Sequence, residues 1–286
     1  MEIEESCVIE AGLTLMKSSK VVFAAIVRDR AAALHAARKR IDAIGKYFAA
    51  PPYVFVMEND SKAQETRQEL VAWQKEAGPR VQFDAYDIQL PSSKTKETAL
   101  SPERFNRLAA LRNLMLIGAL DWQFRDADFI IMIDIDDHIG RDWDPTSLAH
   151  SFGLLATETY KWDVVCANSV FKFPTTVPLF GRPESRQQKK DRSRVQAYYD
   201  SLAYRGQQFD AKTWSAHQQM AHHPLDKPLE VESCFGTLAI YRREALASCR
   251  YRPSSDCEHI SLHQCIRAAG GRVWFNPRMV VLGVAQ

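Results

Sequence analysis

Apolar residues in this chain fall into short unbroken runs, separated by stretches with helical periodicity. The first run covers residues 20–27 and is followed by an alanine-rich helix that extends to about Tyr47. A second run, 53–57, ends in Glu58, Asn59, Asp60 and Ser61 before a helix rich in Gln and Glu. Residues 81–87 alternate apolar with polar, the pattern of a strand nearer a sheet edge. A long helix over 102–120 begins at Pro102, where the missing N–H costs nothing. Residues 129–133 are wholly apolar, as in a central strand buried on both faces. The spacing then predicts a helix around 146–158, a strand over 162–167 and strand-like composition over 230–241. A helix over 255–269 is closed by Gly270 and Gly271, and a last strand, 272–275, runs into Asn276 and Pro277. This alternation implies an α/β fold, a three-layer αβα sandwich around a mostly parallel sheet. The whole of 1–286 reads as one domain, with halves at about 1–145 and 146–286 and a proline-punctuated irregular insertion at 173–229.

The apolar strand 129–133 stops in three carboxylates, Asp134, Asp136 and Asp137. In open α/β sheets, ligands collect at the carboxyl ends of strands. Acid groups this close repel one another unless a cation sits between them. Hard divalent ions such as Mn2+ or Mg2+ take such oxygen ligands, usually together with substrate phosphates. Asp134, Asp136 and Asp137 are therefore the expected metal ligands. Aspartates also follow strands as turn formers and helix caps, but three together after a buried strand exceed that need.

Other candidates gather around this point. Arg112 shares the apolar stripe of its helix with Leu108, Leu111 and Met115, so its charge must find an anion. That anion is either a substrate phosphate or a carboxylate such as Asp134 or Asp137. Glu58, Asn59 and Asp60 reach the same sheet edge and suit a base edge or a ribose hydroxyl; Asp60 or Ser61 equally suits a helix cap. Ser255 and Glu258 have capping-box spacing, while Asp256 and Glu258 also suit a general base or a sugar-hydroxyl ligand. His259 and His263 share a helix face at metal-ligand spacing, yet no adjoining motif completes a zinc site. His217, His222 and His223 fall in the insertion and read as solvent-facing. The run 182–194 carries six Lys or Arg against Glu184 and Asp191. It reads as a solvated loop, or one that closes over a phosphate-bearing substrate or an anionic membrane surface.

Composition narrows the class. Hydrophobic content is 46%, charged content 25% and net charge +2, as in ordinary soluble proteins and not a general nucleic-acid binder. The acidic start of the chain lacks the apolar core of a secretory signal, and no run approaches a membrane span. Cys7, Cys166, Cys234, Cys249, Cys257 and Cys265 show no Cys-x-x-Cys spacing and read mostly as free buried thiols. A cytoplasmic setting, with peripheral contact at the inner face of a membrane, is the expectation.

The order of segments resembles the GT-A glycosyltransferases: an N-terminal strand-helix-strand region, then Leu111, Arg112 and Asn113, then Asp134 and Asp136 as a DxD element. A closer resemblance is to the capsule-associated mannosyltransferases of encapsulated yeasts. It is carried by 108–113, 198–206, 231–236, 256–258 and 270–277, although the strand end here holds more carboxylates than that family's pattern. The resemblance implies a metal-dependent transferase that uses a nucleotide-sugar donor and a glycan or glycolipid acceptor. By the same likeness the reaction is mannosyl transfer from GDP-mannose with retention. Arg28, Glu58, Asn59, Asp60, Arg112, Asn113, Asp134 and Asp136 would then bind the donor. Tyr199, Asp200, Arg205 and Gly236 would line the sugar or acceptor site, and Glu258 or Asp256 would be catalytic. The competing readings are a haloacid-dehalogenase-like phosphohydrolase, a nucleotidyltransferase and a catalytically silent binding subunit. The first expects its Asp-x-Asp on the first strand, and the second expects a glycine-rich loop where Arg28, Asp29 and Arg30 stand.

Overall fold

The computed structural model describes residues 4–91, 100–135, 143–172, 196–198, 202–206 and 226–284. In chain order its helices are α1 (Glu5–Ser18), α2 (Ala31–Gly45), α3 (Gln64–Ala77), α4 (Pro102–Ala119), α5 (Pro145–Ala156), the single turn α6 (Arg243–Leu246) and α7 (Glu258–Ala268). Its strands are β1 (Val21–Val27), β2 (Tyr53–Asn59), β3 (Val81–Tyr86), β4 (Phe129–Asp134), β5 (Val164–Lys172), β6 (Gln196–Tyr198), β7 (Leu229–Glu230), β8 (Leu238–Arg242) and β9 (Val273–Val284). They form one sheet in the order β3-β2-β1-β4-β8-β5-β9-β7, with β6 on β5. Pairing is parallel among β1 to β4 and between β5 and β9. The reversed strand β8 is wedged between β4 and β5, and β6 and β7 are also antiparallel to their neighbours.

Strand alternation distributes the core to two faces. On one face Phe23, Val56 and Ile131 pack with Leu34 and Ile41 of α2, Trp73 of α3 and Phe152 of α5. On the other, Val22, Met57 and Met132 pack with Leu111 and Met115 of α4 and Leu262 and Ile266 of α7. The three-layer sandwich expected from the sequence is the observed one, and β3 lies at the sheet edge as its alternation suggests.

Several elements depart from expectation. Helix α1 was not foreseen. Its stripe Val8, Gly12, Met16 is buried, and it lies so close to α5 that a Cβ on Gly12 would stand 1.7 Å from the Ala149 carbonyl oxygen. Gly153 of α5 faces Val8 in the same way, at 1.8 Å. The last strand does not stop at 275: β9 continues past Asn276 and Pro277, where its pairing with β5 shifts register between Ala167 and Asn168. A bulge is where a strand accommodates proline, and here the Asn168 amide donates to the Pro277 carbonyl at 3.0 Å. The capping box at Ser255 is not formed. Cys257 is the N-cap of α7 and Glu258 its first residue, because the Glu258 carboxylate is drawn inward to a buried cation. The free-thiol expectation fails for four cysteines: Cys166 pairs with Cys234 and Cys249 with Cys265, leaving exposed Cys7 and buried Cys257 outside any disulfide. The paired cysteines remove the basis for a reduced compartment, since disulfides persist in oxidising ones. Among the described residues, no helix is long and apolar enough to cross a membrane.

Candidate active site

Strands β1, β2 and β4 are parallel, so their carboxyl ends share one edge of the sheet, and Ile26 is in register with Asp134. Asp134 ends β4, its amide held by the Thr237 carbonyl at 2.9 Å. Thr237 and Gly236 both take positive φ, +60° and +66°, in the turn that leads into β8. Gly236 thus precedes the residue that holds the strand end, in a conformation that glycine tolerates best.

Arg112 projects from the middle of α4 beneath this edge and is only 5% exposed. Its Nε donates to Glu258 Oε1 at 2.8 Å and its Nη2 to Asp134 Oδ1 at 3.2 Å. Its guanidinium carbon lies 5.2 Å from the centroid of the Phe235 ring. Burial works against the charge, but Asp134 and Glu258 outweigh it and hold the Arg112 pKa well above the ordinary arginine value. The Nη1 atom is buried with no hydrogen-bond partner among the described residues. Asp134 is the carboxylate partner that the sequence offered, and a second carboxylate, Glu258, comes from 146 residues away.

Glu258 and Asp256 occupy different surroundings although they are two residues apart. Glu258 is buried, with Oε1 on Arg112 and Oε2 3.7 Å from the Cys257 thiol. Asp256 is half exposed and receives a bidentate grip from Arg205 Nη2 at 2.7 and 2.8 Å. Arg205 is itself held by bridging to Ser233 and by donating to the Leu202 and Tyr204 carbonyls. Arg205, expected from the resemblance at the sugar or acceptor site, is here the ion-pair partner of Asp256.

The donor residues expected on β2 separate. Glu58 is fully buried, accepting from the Ser61 amide at 2.9 Å and Arg67 Nε at 2.5 Å. Asn59 is buried too and donates to Asp60 Oδ2 at 3.0 Å. Asp60 reaches the rim, where it accepts from the Gln89 and Leu90 amides at 2.7 and 2.9 Å. Burial opposes its charge, but bonds from Leu90, Asn59 and Gln89 keep its carboxyl below the usual range. Arg28 stands 4.0 Å from Asp60 and donates to the Leu90 carbonyl at 3.1 Å. Asn113 points away from the edge: its amide closes a two-way bond with the Tyr251 backbone, at 2.8 and 2.9 Å. Asp136, Asp137, Tyr199 and Asp200 lie outside the described residues, as do His217, His222, His223 and the basic run 182–194.

The histidine pair does not build a metal centre. His263 Nδ1 bonds Ser233 at 2.9 Å and Nε2 bonds the Tyr241 hydroxyl at 3.0 Å, while His259 stacks on Phe235 with centroids 3.9 Å apart. Burial pushes the His263 pKa down to about 3. Among the described residues no cluster of three His, Cys, Asp or Glu side chains could hold a metal. The carboxylate oxygens expected to do so do suit a hard cation, and Asp134 is the one of the three within the described residues. Arg104 and Arg107 were not singled out from sequence. Arg107 Nη1 donates to the Ile88 and Gln89 carbonyls at 2.8 and 2.5 Å, and Arg104 Nη1 to Pro91 at 2.6 Å. Their signal was present, for Arg104 lies eight residues before Arg112, two turns along one stripe of α4.

Sequence comparison finds no matching family model and no matching curated protein. Solved structures do match. GalNAc-T7 with UDP, GalNAc and Mn2+ aligns over 94% of this chain and 44% of its own, with TM-score 0.51 and 14% identity. The mannosyltransferase PcManGT of Pyrobaculum calidifontis, with GDP-Man and Mn2+, aligns over 97% and 68%, with TM-score 0.46 and 15% identity. S. aureus TarS 1–349 aligns over 93% and 60%, with TM-score 0.45 and 13% identity. The chain spans less than half of the GalNAc-T7 chain it matches. At 14% identity the likeness to GalNAc-T7 is one of fold, and it places the sandwich among the GT-A glycosyltransferase folds.

Proposed function

We propose that this chain is a metal-dependent glycosyltransferase that moves a sugar from a nucleotide-sugar donor to a surface polysaccharide or glycolipid. The observation that carries the reading is the meeting of Asp134, Arg112 and Glu258 at the carboxyl edge of β1 and β4, in a fold shared with GalNAc-T7. GalNAc-T7 holds UDP and Mn2+. Asp134, with Asp136 and Asp137, would hold Mn2+ or Mg2+, which as a Lewis acid stabilises the departing nucleotide diphosphate. Arg112 adds a fixed positive charge beside Asp134. Glu258, with Oε1 committed to Arg112, orients that guanidinium and does not move protons. Asp256 is the general base: half exposed and steadied by Arg205, it takes the proton of the acceptor hydroxyl as that oxygen attacks the anomeric carbon. This assignment describes an inverting transfer. Mannose from GDP-mannose is the donor favoured by the motif resemblance, with retention as that family's stereochemistry. Under retention Asp256 binds a sugar hydroxyl instead.

The test is turnover of UDP- and GDP-sugars with a panel of glycosyl acceptors, in Mn2+ and in EDTA. Asp256→Asn should lower kcat about 100-fold or more while nucleotide affinity holds, as loss of a general base does. Full activity in that variant would remove Asp256 from the chemistry. Phosphate release from simple phosphomonoesters, without sugar transfer, would overturn the transferase reading in favour of a phosphohydrolase.

A further inference from the structure

We infer that Arg104, with Arg28 and the Nη1 of Arg112 that has no hydrogen-bond partner among the described residues, forms an anion subsite that binds the phosphates of a nucleoside diphosphate independently of any metal. The inference rests on the transferase reading for the nucleoside, but not for the anion. Arg28 follows β1 and Arg104 lies in the first turn of α4, and their guanidinium groups donate to consecutive carbonyls, those of Leu90 and Pro91. The two cations are therefore neighbours, fixed to one strip of backbone. Arg112 lies two turns further along the same stripe of α4.

The three differ in what neutralises them. Arg112 has Asp134 and Glu258, and Arg28 has Asp60 at 4.0 Å. Arg104 has no carboxylate partner among the described residues. It uses only Nη1, so Nε and Nη2 have no hydrogen-bond acceptor there. A half-buried cation in a helix's first turn also opposes the helix dipole, whose positive end is at that terminus. Burial and the charges of Arg28 and Arg112 accordingly push the Arg104 pKa down, with only Glu258 working the other way. A carbonyl staple needs no such charge, since a neutral amide side chain donates to a carbonyl equally well. An arginine held where its charge is disfavoured, with two donors unspent, is arranged for an anion that arrives later. Guanidinium forks match phosphate oxygens in geometry and charge.

The experiment is calorimetric titration of wild type, Arg104→Gln and Arg104→Lys with UDP, GDP, the parent nucleosides and inorganic pyrophosphate. Each is done with Mn2+ and with EDTA, alongside the melting temperature of the unliganded proteins. The expected result is measurable diphosphate binding in EDTA that falls about tenfold or more in Arg104→Gln, with nucleoside binding unchanged. Arg104→Lys should recover only part of the loss, and the unliganded Arg104→Gln protein should melt no lower than wild type because a repelled charge is gone. Equal diphosphate affinity in wild type and Arg104→Gln would overturn the inference, and with a lower melting point it would make Arg104 a structural staple. Diphosphate binding that vanishes entirely in EDTA would also overturn it while leaving the transferase reading in place. Pyrophosphate binding that depends on Arg104, with no nucleotide binding, would keep the anion subsite and sink the nucleotide-sugar reading.

Discussion

The β1–β2 rim and the α4–α7 interior both gather charged side chains below the same sheet edge, yet they use them in opposite ways. At the rim, the two aspartates serve the backbone. Asp29 accepts from the Lys62 and Ala63 amides at 2.8 and 3.2 Å, and Asp60 accepts from Gln89 and Leu90. Both aspartates sit at positive φ, +51° and +52°, which short polar residues tolerate better than most. In the interior, a carboxylate serves another side chain: Glu258 is committed to Arg112 between α7 and α4 on one face of the sheet, and the adjoining His263 is held by Ser233 and Tyr241. The rim shapes loops through many separable bonds. The interior fixes one constellation through few bonds, each costly to leave half-made.

The largest expected effect follows from that asymmetry. Arg112→Ala strands Glu258 as an uncompensated buried charge and should cost about 3–5 kcal/mol in urea unfolding. The double variant Arg112→Met with Glu258→Leu should recover most of that stability, because well-packed apolar residues replace a buried pair at little net cost. Activity should not return with it. A single variant costing less than about 1 kcal/mol would show the pair to be as loosely held as an exposed one, and the contrast with the rim would disappear.

This difference also explains what could be read from the chain. The strands β1, β2 and β4 announce themselves as apolar runs, and the three-layer order follows from their alternation with helices. Arg112 stood out because a charge interrupted an apolar stripe. Its partner did not, since Glu258 lies 146 residues away and its spacing from Ser255 already had a sufficient local explanation as a capping box. Helix α1 was hidden by the feature that packs it: Gly12 permits contact with α5 but weakens the helical signal. The pairs Cys166–Cys234 and Cys249–Cys265 depend on which strands and helices come together, and spacing along the chain carries none of that.

Acid sharpens the comparison further. His263 has an ordinary pKa of 6.5 that burial lowers to about 3 in the folded protein. The unfolded chain therefore binds a proton that the folded one refuses. Stability from keeping this ring neutral is fully present above about pH 6.5 and is lost as the pH falls toward the folded value. At pH 5 the loss should be about 2 kcal/mol from this group. Replacing His263 with Gln, which still bonds Ser233, should make the fall in unfolding free energy between pH 6.5 and pH 4.5 shallower, the remainder belonging to His259 and His150, whose pKa values burial also lowers. If the slope in that window is the same with Gln, the buried histidine is not its origin.

The smallest effect belongs to the rim, and it falls in a different window. Asp60 also has a lowered pKa, so its contribution is complete above the ordinary carboxylate range and disappears only as the pH drops below that range through the folded value. Asp60→Asn removes the charge but keeps one acceptor for the Gln89 and Leu90 amides, so at pH 7 it should cost about 1–2 kcal/mol. Its acid slope should change only below about pH 4, where His263 has already lost much of its contribution. Hydrogen exchange locates the loss: faster exchange at Gln89 and Leu90, with Glu258 and its neighbours on α7 unchanged, is the expected pattern. Exchange that quickens equally in α7 would mean that rim and interior open as one unit, because local openings report the cooperative boundaries of a fold. A rim that can loosen without disturbing Arg112 and Glu258 would let the loop at 88–91 adjust while the buried constellation keeps its geometry.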